Sequence, residues 1–263
     1  MRKVIIGSLS LVFSLQLFAA DPTIYQTTLM ETGQATSEVS TAELQQILKT
    51  GSSIVFDARP AEEFAMSHIP DALNVAPKPG RPPSLYTSDV AEIGRLVKDQ
   101  LSTAIVLYCN GPFCGKSKRL AADLLAAGYT NVRRYQLGMP VWRALVGVAQ
   151  IELSAIKDVY ATDHTAWFVD ARLNAFDRII GRAQHIPLAE VTAAKDDGRL
   201  PMLDHNTRMI VFGDDGPQAR DVATALAKNA FSNVTFYAGS GDDLRSLRQD
   251  HVACERRPFD PMP

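Results

Sequence analysis

The chain has 263 residues, 46% hydrophobic and 21% charged, an ordinary globular composition with length for two modest domains. Its formal net charge of −2 removes the electrostatic case for nucleic acid or an anionic membrane surface as partner. Three cysteines are too few for a disulfide scaffold.

Residues 1–20 read as a targeting segment rather than part of the fold. Arg2 and Lys3 are basic, Val4 to Phe18 is apolar, and Ala19-Ala20 precedes the polar Asp21. This is the pattern of a secretory signal peptide, with an apolar run short for a membrane span. It implies a periplasmic or secreted protein with no membrane attachment after cleavage. The −3 position holds Phe18 or Leu17 rather than a small residue, so an uncleaved N-terminal anchor stands as the alternative. For an exported chain, an odd cysteine count points to a free reactive thiol or an intermolecular bond. Residues 21–37 read as a linker.

From there, helix-length and strand-like segments alternate. Ser40-Thr41-Ala42-Glu43 is a capping box for a helix through Leu48. Ile54 to Asp57 is a strand. Pro77 to Pro83, rich in Pro and Gly, is a loop and a candidate to line a site. Val90 to Lys98 is a helix with Ile93, Leu96 and Val97 on one face. Ile105 to Tyr108 is uninterruptedly apolar, as buried parallel strands are. Helical spacing resumes at Lys116, and Gly128 ends that helix. Val132 to Tyr135 is the next strand. The alternation predicts an α/β fold with a mainly parallel sheet flanked by helices.

Cys109 closes the apolar strand. It opens the turn Asn110-Gly111-Pro112-Phe113-Cys114-Gly115, which leads into the helix. Ligands of parallel sheets gather at the carboxyl ends of strands. A thiol there faces backbone N–H groups and the positive end of a helix dipole, which bind anions and favour thiolate. Cys109 is therefore a candidate nucleophile; the alternative is a buried structural cysteine. The cations Lys116, Lys118 and Arg119 suit a small anion. Cys114 is either a resolving thiol for Cys109 or an inert loop residue. The two cysteines lack the two further ligands nearby that a metal site needs. Cys254 falls in a polar tail, residues 249–263. Trp142 packs the core or walls a pocket.

The chain also repeats itself. Trp167-Phe168-Val169-Asp170-Ala171-Arg172 matches Ile54-Val55-Phe56-Asp57-Ala58-Arg59. Phe176 then answers Phe64, and His185-Ile186-Pro187 answers His68-Ile69-Pro70. Phe231-Ser232-Asn233-Val234 matches Tyr129-Thr130-Asn131-Val132, and Gly239 is paired with Gly138. This predicts two copies of one fold, over 38–148 and 149–248. In the second copy Gly213 stands where Cys109 should be, followed by Asp214 and Asp215. Asp57, Arg59 and His68 have counterparts in that cysteine-free copy, so they read as structural.

These motifs together resemble the rhodanese family in tandem form. They are Phe56-Asp57-Ala58-Arg59, Glu63-Phe64, Ser67-His68-Ile69-Pro70-Asp71-Ala72, Tyr108-Cys109 with its Gly-containing turn, and Gly128-Tyr129 followed by Asn131-Val132. The resemblance implies a sulfurtransferase with Cys109 as persulfide carrier. Asn110, Gly111, Phe113, Cys114, Gly115, Lys116 and Ser117 would form the substrate cradle, and no cofactor is needed. It implies a small-molecule sulfur donor such as thiosulfate, and a thiol, cyanide or protein acceptor. The loop departs from the family: Cys114 stands where a cation is usual, and the segment to Ser117 is longer. Gly115 stands where related phosphatases need an Arg, which argues against phosphatase activity. Two other activities remain open: a thiol–disulfide redox protein using Cys109 and Cys114, and a non-catalytic sulfur-carrier or binding module.

Overall fold

The computed structural model describes residues 23–78, 80, 87–175 and 177–247. The signal-peptide reading, most of the Pro77–Pro83 loop, Phe176, Cys254 and the tail lie outside them. No helix among the described residues is long and apolar enough to cross a membrane.

Two parallel sheets carry the fold. The first contains β1 (Ile54–Asp57), β2 (Leu73–Asn74), β3 (Ile105–Tyr108) and β4 (Val132–Tyr135), in the order β2-β1-β3-β4. The second contains β5 (Val148–Ile151), β6 (Trp167–Asp170), β7 (Gln184–His185), β8 (Met209–Phe212) and β9 (Val234–Tyr237), in the order β5-β9-β8-β6-β7. Residues 37–39 run beside β4, with Val39 N–H donating to Arg134 O at 2.8 Å and Arg134 N–H to Ser37 O at 3.0 Å. Thus the segment beside β4 occupies the position in the first sheet that β5 occupies in the second. The helices are α1 (Thr41–Thr50), α2 (Ala61–Met66), α3 (Asp89–Val97), α4 (Lys116–Ala126), α5 (Gly138–Val146), α6 (Leu153–Thr162) and α7 (Gly216–Lys228).

Alternation along β3 divides the first core. Val106 and Tyr108 join Leu44, Ile47, Tyr135 and Trp142 on the α1 and α5 face. Ile105 and Leu107 join Ile93, Val97, Leu120 and Leu124 on the α3 and α4 face. Each fully buried aliphatic side chain contributes about 1.5–3 kcal/mol, so a strand filled on both faces is firmly held. Cys109 emerges from the best-anchored strand of the sheet. Trp142 packs the core: its Nε1–H donates to Val148 O at 2.9 Å, and its ring meets Tyr135 edge-on.

Three expectations change. Residues 29–37, read as linker, are docked on the first sheet: Glu38 accepts from the amides of Leu29 and Glu31, and the buried Arg134 holds Thr36, Gln34 and Glu31. Second, His185-Ile186-Pro187 is not the spatial counterpart of His68-Ile69-Pro70. His185 pairs with Asp170 as Asn74 pairs with Asp57, and its Nε2 bonds Arg172 O at 2.7 Å where Asn74 Nδ2 donates to Arg59 O at 2.9 Å. A shared tripeptide concealed a shift of register. Third, Met139 N–H donates to Cys109 O and Gly241 N–H to Gly213 O, so Gly138 corresponds to Ser240 rather than Gly239.

The two units touch through several direct bonds. His68 and Gln150 exchange both backbone hydrogen bonds at 2.9 Å, and Arg220 Nη1 meets Asp71 Oδ2 at 3.0 Å.

Candidate active site

Cys109 sits at the carboxyl end of β3 and is 2% exposed. The turn after it is tight. Gly111 takes φ +94°, and Cys114 N–H donates to Gly111 O at 3.0 Å. That turn brings Cys114 back over Cys109, and the two are joined as a disulfide with a Cα–Cα separation of 6.2 Å. This separation is ordinary for such a bond. Cys114 is half-buried, Asn110 and Gly115 are exposed, and the Phe113 ring stands wholly in solvent.

The start of α5 clamps the back of this loop. Met139 N–H donates to Cys109 O at 3.1 Å. Gly138, at φ +67°, lies so close that a Cβ there would collide with Gly111 N and Cys109 O. Only glycine meets both conditions.

In front of the loop, α4 begins without a side-chain cap. Gly115 occupies the cap position, so the first-turn amides of Lys116, Ser117 and Lys118 lack a capping acceptor from it. Ser117 is buried, at 2% exposure. The basic cluster is only partly directed at the loop: Lys116 Nζ lies 4.0 Å from Asp89 Oδ2, and burial chiefly raises the Asp89 pKa. Arg119 lies along the helix start, its Nη1 3.6 Å from the position of a Gly115 Cβ.

Beside the loop is a cavity of about 550 Å³, lined by Arg59, Glu63, Ser67, Asn110, Pro140 and Arg143 among others. Asn110 Nδ2–H donates to Glu63 Oε2 at 2.6 Å, tying the turn to α2. Arg59 is buried and held through its Nε and Nη2, with Nη1 3.9 Å from Glu63 Oε2. Its Nη2–H donates to Asp57 Oδ2 at 2.6 Å and Ser67 O at 2.7 Å, and its guanidinium lies 5.8 Å from the Tyr108 ring centre. Tyr108 OH accepts from Ile69 N–H at 3.1 Å, and burial holds its pKa far above the ordinary phenol value. Asp57 and Arg59 therefore brace the strand end. The Arg143 pKa is lowered, chiefly by burial and then by the cations Arg59 and Arg208.

His68 is wholly buried, its ring stacked on Phe64 and its Nδ1 2.9 Å from Phe64 O. Burial lowers its pKa to about 4, so the ring is neutral. Its Nε2 lies 3.5 Å from Glu152 Oε1, and burial raises the Glu152 pKa. The neutral imidazole means this contact is not an ion pair at neutral pH.

Gly213 follows β8 as Cys109 follows β3, and its surroundings are closed. Asp215 caps α7 by accepting from Gln218 N–H at 2.9 Å, and Gln218 Oε1 accepts from Asp214 N–H at 2.7 Å. A Cβ on Gly213 would stand 2.6 Å from Gln218 Oε1. Asp214 and Asp215 would repel an anion there, and the Gln218 side chain fills the space.

The structure thus brings together Cys109, Gly111, Cys114, Gly115 and Ser117 around one turn. It leaves Phe113 pointing into solvent and turns Lys116 partly toward Asp89. Sequence reasoning quoted Glu63 only as part of a family motif, and missed Arg143 and the α5 clamp. Gly138, already picked out by the repeat, was the available signal for the clamp; nothing local marks Arg143. Among the described residues no group of three or more His, Cys, Asp or Glu side chains is arranged to hold a metal ion.

Residues 40–145 match the family model described as a rhodanese-like domain. A curated relative, the HTH-type transcriptional regulator Rv0324 of Mycobacterium tuberculosis, is 31% identical over 115 residues, covering 42% of this chain and 43% of its own length. The chain therefore spans less than half of that relative. Among solved structures, the human single-domain sulfurtransferase TSTD1 is 25% identical, covering 41% of this chain and 96% of that one, with a TM-score of 0.32. The thiosulfate sulfurtransferase of Pseudomonas aeruginosa is 18% identical, covering 79% and 42%, with a TM-score of 0.34. The BH2092 protein of Bacillus halodurans is 27% identical, covering 45% and 79%, with a TM-score of 0.35. The part of the chain that holds Cys109 and Cys114, residues 40–145, is a rhodanese-like domain.

Proposed function

We propose that the protein is a sulfurtransferase in which Cys109 carries sulfane sulfur as a persulfide. The observation that carries this reading is a cysteine at the carboxyl end of β3, before the uncapped start of α4, inside a rhodanese-like domain. Backbone donors and a helix dipole stabilise thiolate and persulfide anions alike, so no general base is required. With thiosulfate as donor, the Cys109 thiolate bonds the outer sulfur, the S–S bond of thiosulfate breaks, and sulfite leaves with the electron pair. The acceptor is a small thiol, cyanide or a protein thiol.

A second reading, a thiol–disulfide redox protein, is favoured by the bond between Cys109 and Cys114. In either case that bond must be reduced before Cys109 can attack a donor. We further read residues 148–247 as a second copy of the fold without a nucleophile, supported by the shared strand order and by Gly213 in the place of Cys109. The N-terminal sequence supports export to the periplasm or beyond.

Intact mass of the reduced Cys114→Ser protein, which keeps Cys109 but no neighbouring thiol to discharge it, tests the main reading before and after thiosulfate. The expected result is a gain of one sulfur atom that is absent in Cys109→Ser. A Cys114→Ser protein that gains nothing from thiosulfate or an organic persulfide overturns it.

A further inference from the structure

We infer that Cys114 is a second catalytic thiol, which discharges the Cys109 persulfide as free sulfide. This inference rests on the persulfide reading above and assigns the acceptor. Three observations carry it. Cys114 already bonds Cys109 Sγ itself, so its sulfur reaches the inner atom of a persulfide formed there. The turn is preset to deliver it, through the Gly111 conformation and the Cys114 N–H bond to Gly111 O. The two sulfurs differ in access: Cys109 is buried and Cys114 half-buried, beside an exposed loop tip.

The step balances as follows. The Cys114 sulfur bonds Cys109 Sγ, and the S–S bond of the persulfide breaks. Its electron pair leaves with the outer sulfur, which takes the Cys114 thiol proton and departs as hydrosulfide. The sulfane sulfur gains two electrons, and the two cysteines lose two in forming their disulfide. An external dithiol, a small molecule or a reduced protein, then restores both thiols and is itself oxidised to a disulfide. Its attack falls on Cys114, the accessible sulfur, and releases Cys109 as the leaving thiolate in the site built for an anion. The bond between the cysteines is, on this account, the product state of each turnover. It explains why the loop carries a cysteine where the resemblance calls for a cation.

The test is a single turnover without oxygen. Fully reduced protein, freed of reductant, is mixed with thiosulfate; released sulfide, protein mass and the modified peptides are followed together, with Cys114→Ser and Cys114→Ala as variants. The wild type is expected to release one sulfide per chain and to end two hydrogens lighter, with Cys109 bonded to Cys114. Both variants are expected to keep the added sulfur on Cys109 and to lose sulfide release until a dithiol is added. A wild-type protein that holds a stable Cys109 persulfide beside a free Cys114 overturns the inference and leaves the persulfide reading intact. So does sulfur mapped to Cys114, which marks a relay, or sulfide release by both variants at the wild-type rate. Failure of every form to take up sulfur overturns both.

Discussion

Two helices in this molecule begin after central strands of the two sheets, α4 after β3 and α7 after β8, and they treat their first turns in opposite ways. Asp215 caps α7, Pro217 contributes no N–H, and the Gln218 side chain folds back over Gly213. At α4 the cap position is Gly115, with no side chain to accept a bond. Helix N-terminal amides bind whatever acceptor is nearest. The second unit supplies that acceptor from its own chain and gains stability; in the first, the cap position supplies none. Glycine in place of a capping side chain costs only about a few tenths of a kcal/mol, so leaving the first turn of α4 open is a small sacrifice of stability.

The largest test of this comparison lies behind the loop. Gly138→Ala sets a Cβ against Gly111 N and Cys109 O at a positive φ, so we expect a loss of about 3 kcal/mol or more in denaturant unfolding. Sulfur uptake by Cys109 should fall with it. Ser240→Ala, at the corresponding place in the second unit, removes only a side-chain bond to Asp242 N–H and should cost about 1 kcal/mol. Equal losses at the two positions would mean the clamp on the Cys109 loop has no special role.

Histidine positions give a second contrast. His68 titrates at about 4 in the fold against an ordinary 6.5, because burial disfavours its charged form. As pH falls, the unfolded chain binds the proton first, so stability is full above about 6.5 and declines toward 4, by at most about 3 kcal/mol. Glu152, raised by burial, acts in the opposing sense and trims that loss. Denaturant midpoints across this range should flatten in His68→Asn; His185, which the letters of the repeat align with His68, instead lies half-buried against Arg172 O. A wild-type slope retained in His68→Asn would assign the acid sensitivity elsewhere.

These two histidines also mark what the sequence made legible. Strand-helix alternation was plain, because β1, β3, β6 and β8 are apolar runs bounded by polar turns, and Ser40 and Gly128 mark helix ends. Cys109 was legible for the same reason: a polarisable nucleophile closing an apolar run stands out. The register of the repeat was not. His-Ile-Pro recurs as letters, yet His185 occupies the place of Asn74, since pairing with the edge of a sheet is set by backbone bonds and not by tripeptide identity. Nor was the cavity legible. Arg59, Glu63, Asn110 and Arg143 come from four segments and meet only through the fold. The approach of Cys114 to Cys109 lay between these extremes. Spacing permits it, but the Gly111 conformation decides it.

The smallest effects test the cap contrast directly, with one exchange in each unit. Asp215→Ala removes the α7 cap and should cost about 1 kcal/mol of stability without altering sulfur uptake. Gly115→Asp places a carboxylate before α4. The nearest atom to its Cβ is Arg119 Nη1 at 3.6 Å, so the backbone has room for it. Near the helix dipole the new charge should stabilise the protein by roughly 0.3–1 kcal/mol. In the same place it repels an anionic donor and disfavours the Cys109 thiolate, so the rate of persulfide formation from thiosulfate should fall by about tenfold, equivalent to about 1.4 kcal/mol. Gly115→Asn supplies a similar shape without the charge and should retain most of the rate. The sign of the pairing is what matters: the exchange that strengthens α4 must weaken the chemistry, while the one that weakens α7 must leave it untouched. If Gly115→Asp reacts as fast as the wild type, the open first turn of α4 is not the anion site, and the contrast between the two helices is one of stability alone.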